Sequence, residues 1–353
     1  IILMNTIRMP LKQLALVLAT PTALAQADPH IPIDSAVSLP DPTALVQGDW
    51  VYAFATGPGI LIRRSKDLFH WEDAGRVFRQ PTPPWAAEAI PGAKGVWAPD
   101  ITFHDGLYHL YYSISTLGNQ RSAIGLATNR TLDPESPLYA WEDRGPIIES
   151  RPRRNNFNAI DPALVAEPNG RWWLFFGSWW TGIKAVEIDP KTGKPRRGAD
   201  IVPIAAREPR GQPSIEAAYV AHREGFWYLF VSWGTILPPK EATYEVRVGR
   251  SKKIDGPYSD LPGRPMRDGG GTLVLTSHGP WRAPGHNDIL RFQGRDWMCH
   301  HTFDLRDLRS GRILQVRPTY WIDGWPVVGE PVPAPVTSQP PAPPDPAAIP
   351  GRW

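Results

Sequence analysis

One short pattern recurs five times along this chain: a glycine turn, a cluster of aromatic residues, then an apolar strand. It reads "GDWVYAFATG" from Gly48, "GLYHLYYSIS" from Gly106, "GRWWLFFGSW" from Gly170, "GFWYLFVSWG" from Gly225 and "GRDWMCHHTF" from Gly294. The glycines stand 58, 64, 55 and 69 residues apart. Each copy follows a shorter strand-like run: "DPTALVQ", "PDITFHD", "DPALVAEPN", "EAAYVAHRE" and "HNDILRFQ". Glycine tolerates the positive φ of a tight turn and broad rings suit strands, so each copy predicts a hairpin. Further strands follow, as in "GILIRRSKDLFHWED" and "YEVRVGRSKK". A repeating unit of this length with about four strands has the size of a propeller blade. Five such units fill 31–330, with no helical period in that region. The expected architecture is therefore all-β, a five-bladed β-propeller over residues 28–330. A jelly roll or two stacked sandwiches would not predict five similar hairpins.

Composition narrows the function classes. Hydrophobic residues make up 42% of the chain, with 16 Trp, 41 Pro and 31 Gly, a turn-rich balance. The net charge is only +3, and "RPRR" at 151–154 is too short for a nucleic-acid surface. The single Cys299 excludes an internal disulfide. Near the start, Arg8 and Lys12 precede the apolar run Leu14–Ala19, and Ala23-Leu24-Ala25 and Ala25-Gln26-Ala27 both suit cleavage. Residues 1–27 thus read as a signal peptide starting at Met4, and the expected location is secreted or periplasmic. Removing them leaves 36 basic against 35 acidic residues, so no polyanionic partner is expected. No segment reaches the 18 or so apolar residues of a membrane span. The stretch 331–353, "PVPAPVTSQPPAPPDPAAIPGRW", reads as a Pro-rich tail.

In a propeller the innermost strand of each blade lines the axis and begins at one mouth. Here the inner strands begin with Asp41, Asp100, Asp161, Glu216 and the trio His286, Asn287, Asp288. An isolated Asp at a strand start is commonly a turn or cap residue. Recurrence in register across five repeats favours a shared pocket instead. Converging carboxylates suit glycosidic cleavage, which needs one protonated and one ionised acid. Burial or a neighbouring negative charge raises the acid's pKa, and a third carboxylate can supply that charge.

Several motifs resemble the glycoside hydrolases of family 43, and within them the arabinanases. They include "VWAPDITFHDGLYHLYYSIS", "NAIDPALV", "GSWW", "SIEAAYV", "DGGGTLVL" and "GHNDI", spread over about 38–330. The resemblance implies a five-bladed propeller that hydrolyses α-1,5-linked arabinan with inversion, acting as a monomer on a poly- or oligosaccharide. It implies Asp41 as general base, Glu216 as general acid, and Asp161 as the residue that raises and orients the acid. It further implies Trp97, Asn158 and Ser178 in the substrate site, and His286 tying a hydrated calcium ion to the axis.

The chain departs from that family at three places: Pro40 replaces the histidine usual before the base, Leu117 replaces an aromatic, and Asp288 replaces a small polar residue. Other readings are an exo-acting arabinofuranosidase or β-xylosidase on the same machinery, or a carbohydrate-binding propeller without turnover. The "NDP" and "EC" signatures of the invertase group are missing. Strand alternation sends the neighbours of Cys299-His300-His301 to opposite faces, so this run is read as structural and not as a zinc site.

Overall fold

A computed structural model describes residues 37–207 and 214–332. Four hairpins turn on pairs with both residues at positive φ: Asp105-Gly106, Glu224-Gly225, Gln293-Gly294 and Asp323-Gly324. This backbone matches the right-handed twist of the flanking strands.

Blade 1 contains β1 (Thr43–Gln47), β2 (Trp50–Ala55), β3 (Leu61–Ser65) and β4 (Glu72–Arg76). A four-residue helix, Ala86–Ala89, lies in the link to blade 2. Blade 2 contains β5 (Trp97–His104), β6 (Leu107–Ile114), β7 (Ser122–Asn129) and β8 (Glu142–Ser150). Blade 3 contains β9 (Ala163–Ala166), β10 (Trp172–Phe176), β11 (Ile183–Asp189), β12 (Lys194–Pro195) and β13 (Val202–Ala205). Blade 4 contains β14 (Ile215–Arg223), β15 (Phe226–Trp233), β16 (Glu245–Ser251) and β17 (Thr272–Leu275). Blade 5 contains β18 (Trp281–Phe292), β19 (Arg295–Asp304), β20 (Arg312–Ile322) and β21 (Trp325–Val328). Every sheet is an antiparallel meander in chain order. Blade 3 differs at its edge, where β12 and β13 each pair with a different part of β11.

The blades are joined by five apolar clusters in cyclic order. Tyr52 and Phe54 of blade 1 pack with Leu110 and Tyr112 of blade 2. Tyr111 and Leu126 pack with Leu174 and Phe176 of blade 3. Phe175 and Ile183 pack with Leu229 and Val231 of blade 4. Tyr228 and Phe230 pack with Met298 and Trp325 of blade 5. Trp297 and Cys299 return to Val51 and Ala53 of blade 1. Burying a side chain of this size contributes about 1.5–3 kcal/mol, so the ring is held mainly by these seams.

Both ends of the described propeller fasten to β20. Leu314 N donates to Val37 O at 2.9 Å, and Val332 N donates to Val316 O at 3.0 Å. The expected five-bladed propeller is therefore the observed fold. The expected signal segment 1–27 and the tail beyond residue 332 lie outside the described residues.

Candidate active site

Five residues at equivalent places near the head of the inner strands adopt left-handed backbone: Asp41, Ala98, Asp161, Ala217 and His286, with φ of 52°, 42°, 55°, 56° and 50°. In blades 2, 4 and 5 the pairing register slips at this point, as in a β-bulge. Such strain persists only where its surroundings enforce it. In four blades a side chain from the second strand of the preceding blade, or just past it, captures the strained N–H. Ala98 N donates to Thr56 Oγ1 at 2.8 Å, Asp161 N to Ser113 Oγ at 2.9 Å, His286 N to Ser232 Oγ at 2.9 Å, and Asp41 N to His301 Nδ1 at 3.0 Å. The equivalent residue of blade 3 is Gly177, which has no side chain to offer. There Asp161 itself serves, with its Oδ2 accepting from Ala217 N at 3.2 Å. The repeat that builds the ring thus also aims Asp41, Asp161 and His286 at one mouth, with Glu216 arriving one residue ahead of the strained Ala217.

Asp41 is buried. Its Oδ1 accepts from Arg312 Nη1 at 2.6 Å, and its Oδ2 accepts from Thr56 Oγ1 at 2.5 Å. Burial, the largest single influence, would raise its pKa, but the Arg312 guanidinium together with the His301 and His286 imidazoles outweighs it and holds the carboxyl well below its ordinary range. The His301 Nδ1 that meets Asp41 N also stands 3.2 Å from Asp41 Oδ1.

Glu216 and Asp161 have the opposite bias. Burial raises Glu216, against two hydroxyls that favour its ionised form: Ser178 Oγ at 2.6 Å from Oε2 and Tyr244 at 2.8 Å from Oε1. Asp161 is raised well above its ordinary value by burial first, then by the charges of Glu216 and Asp41. One ionised carboxylate therefore faces two that resist ionisation, the division of labour that acid–base hydrolysis needs.

The remaining expected residues are placed as follows. Trp97 opens β5, next to Ala98 at the mouth. Asn158 is buried, and its Oδ1 accepts from Ser122 Oγ at 2.7 Å. Ser178 directs its hydroxyl to Glu216. The imidazole Nδ1 of His286 stands 3.5 Å from Asp41 Oδ1. Two acids grouped with the mouth residues in the sequence belong instead to a deeper tier, two positions down the inner strands. Asp100 Oδ2 accepts from Leu164 N at 2.8 Å, and burial pushes its carboxyl up to about 8. Asp288 Oδ2 accepts from Ala44 N at 2.7 Å and Thr43 Oγ1 at 2.9 Å. They tie neighbouring inner strands together.

Four groups of the site escaped the sequence reading: Arg312, Tyr244, Thr56 and His301. His301, read with its tripeptide as structural, holds the backbone of the site. Cys299 enters the apolar seam with blade 1, whereas His301 meets the backbone of Asp41. Aligning the five hairpins would have found two of them: Ser113, Gly177, Ser232 and His301 each stand seven residues after their turn glycine, and Thr56 joins that column once one residue is allowed for in the first turn, eight after Gly48. No comparable signal marks Arg312 or Tyr244.

The calcium ion implied by the resemblance can be tested against the residues present. Among the described residues, no three His, Cys, Asp or Glu side chains are grouped so as to cage an ion. A hydrated cation needs less: one neutral imidazole and polar groups for its waters. Burial pushes His286 down to about 4, keeping it neutral. The buried Nε2 of His301 and both amide atoms of Asn287 have no hydrogen-bond partner among the described residues. The residues fit a hydrated ion and do not fit a dehydrated one.

Comparison with known proteins agrees with this geometry. The sequence profile of Glycosyl hydrolases family 43 matches residues 31–326. The extracellular exo-α-(1→5)-L-arabinofuranosidase of Cellvibrio japonicus is 40% identical over 306 residues, covering 83% of this chain and 87% of that protein. The extracellular endo-α-(1→5)-L-arabinanase 1 of Bacillus subtilis is 36% identical over 292 residues, covering 82% and 87%. The structure of the Cellvibrio cellulosa α-L-arabinanase complexed with arabinohexaose superposes with a TM-score of 0.79 at 38% identity, over 84% of this chain and 96% of that one. With the match spanning nearly the whole described propeller, the chain belongs to glycosyl hydrolase family 43 and is a glycoside hydrolase.

Proposed function

We propose that the chain hydrolyses α-1,5-linked L-arabinan with inversion at the anomeric carbon, as a monomer outside the cell. The observation that carries this reading is the opposed bias of the carboxyls: Asp41 is held ionised by Arg312 together with His301 and His286, whereas burial keeps Asp161 and Glu216 reluctant to ionise. Asp41 acts as general base. It takes a proton from the water whose oxygen bonds to the anomeric carbon. Glu216 acts as general acid and protonates the departing glycosidic oxygen as the carbon–oxygen bond breaks. Ser178 and Tyr244 then donate to the carboxylate that Glu216 becomes. Asp161, itself reluctant to ionise, fixes the strained backbone at Ala217 and so orients Glu216. Trp97 and Asn158 are assigned to the sugar-binding surface. His286 would hold a hydrated calcium ion, which would supply positive charge near Asp41. The names of the Cellvibrio and Bacillus relatives support the arabinan substrate and the extracellular location.

Proton NMR of the first products from linear arabinan tests the mechanism. Inversion is expected, because an acid–base pair that admits a water spans about 6.5–9.5 Å; retention would overturn the roles of Asp41 and Glu216. Exo action is the second reading, favoured by the 40% identity to the Cellvibrio exo-enzyme. Early products decide: a ladder of oligomers indicates endo action, and a single short product indicates exo action.

A further inference from the structure

The turn 177–182, which joins β10 to β11, carries Ser178 to Glu216 Oε2. Four of its six residues are left-handed: Gly177 (126°), Trp179 (55°), Trp180 (41°) and Gly182 (77°). Two consecutive tryptophans in that region are held against their preference. A Cβ at Gly182 would overlap the carbonyl of Ala205, so the turn is also pressed against β13.

Three fastenings oppose the strain from outside the turn. Trp179 N donates to Ile215 O at 2.9 Å. Thr181 Oγ1 donates to Asn156 O at 2.5 Å. Lys184 Nζ donates to Thr181 O at 2.6 Å. Lys184 is the unexpected member. It lies on β11, only 3% exposed, and no carboxylate pairs with it among the described residues. Burial and the Arg267 charge push its amine down to about 8. A buried cation without a counter-ion is costly, and methionine would fill this space at less cost. The hydrogen bond found for its ammonium runs to the turn that presents Ser178.

We propose that Lys184 is a positioning residue for the general acid: its ammonium clamps the Thr181 carbonyl, holds the Trp179–Trp180 turn, and so sets the Ser178 hydroxyl on Glu216. The proposal rests on Glu216 being the acid. A poorly placed acid hinders departure of a poor leaving group and matters little for a good one. A merely structural residue would slow both alike.

The test compares arabinotriose, whose leaving group is a sugar alcohol, with a 4-nitrophenyl arabinoside, whose leaving group needs little protonation. Glu216→Ala sets the benchmark. It should lose activity on arabinotriose far more than on the nitrophenyl substrate, and without that bias the acid assignment itself fails. Lys184→Met should show the same bias in milder form, with kcat on arabinotriose reduced by about ten- to a hundredfold and little change on the nitrophenyl substrate. Lys184→Gln, which keeps an N–H donor, should lie between native and Lys184→Met, and it serves if Lys184→Met melts below the assay temperature. Gly182→Ala displaces the same turn from its other side and should reproduce the bias. Equal losses on both substrates in the Lys184 variants, or no loss, would overturn the proposal even with the Glu216 benchmark intact.

Discussion

Arg312 Nη1 stands 2.6 Å from Asp41 Oδ1, although the two residues are 271 positions apart in the chain. Arg312 opens β20 in the last blade, Asp41 lies at the head of the first, and their ion pair crosses the seam where the ring closes. Arg312 also lowers the proton affinity of Asp161 and Glu216. A single guanidinium thus biases all three carboxyls toward the ionised form, and most strongly the one it touches.

Replacing Arg312 with Met should therefore move the whole pH profile upward. The acid limb follows Asp41, whose depressed pKa would rise, and the alkaline limb follows Glu216, whose pKa would rise further. Stability follows from the same shift. A carboxyl depressed by folding contributes stability that is complete above its unfolded pKa and is lost as pH falls through its folded pKa. In Arg312→Met the folded pKa rises toward the unfolded one, so the stability lost on acidification should be smaller than in the native protein. Activity and thermal melting from pH 3 to 9 check both, and unmoved limbs would remove Arg312 from the electrostatics of the site.

Ser178→Ala and Tyr244→Phe each delete a donor to ionised Glu216. A hydrogen bond to a charged group contributes about 1.5–3 kcal/mol, so each change should raise the acid's pKa and carry the alkaline limb upward. The acid limb should stay in place, since neither residue touches Asp41. An acid limb that moved with it would mean that the two carboxyls titrate as one unit.

Much of this was legible in the sequence because a propeller writes its architecture repeatedly. The glycine hairpins fixed the blade count, and the acids of "LPDP", "AIDP" and "SIEA" marked the mouth. What stayed hidden was depth. Asp41 and Asp100 both sit in a proline–aspartate pair, yet in blade 1 the acid is the strained residue and in blade 2 that residue is Ala98, which drops Asp100 one tier down the axis. A bulge that shifts register by a residue leaves no trace in composition. Arg312 and Tyr244 were invisible for another reason: each lies outside the repeated motif and reaches the acids only after the ring has closed.

Chelation tests His286 as the holder of a hydrated cation. Exhaustive treatment with EDTA should lower both activity and melting temperature of the native protein, and calcium should restore both. A ligand at a hundred times its Kd stabilises by about 2.7 kcal/mol, which is readily measured. His286→Ala should begin in the lowered state and respond to neither reagent. A variant that still gained melting temperature with calcium would place the ion elsewhere.

Gly285 gives the most local test, because its lack of a side chain has a visible use. The Tyr244 ring lies where a Cβ at Gly285 would stand, and Ser232 Oγ, which captures His286 N–H, is also close. Gly285→Ala must therefore push back the tyrosine whose hydroxyl meets Glu216. Overpacking of this kind costs about 1–3 kcal/mol, so a lower melting temperature is expected. The useful comparison is with Tyr244→Phe, which removes the hydroxyl and keeps the ring. If the ring's position serves only to deliver the hydroxyl, the double variant Gly285→Ala/Tyr244→Phe should have the alkaline limb of Tyr244→Phe alone, with no further shift. If Gly285→Ala instead acts through Ser232 and His286, the double variant should lose activity additively and respond less to calcium. Either pattern identifies which neighbour of the glycine carries the chemistry, and an active, fully stable Gly285→Ala would show that Tyr244 can move without cost to Glu216.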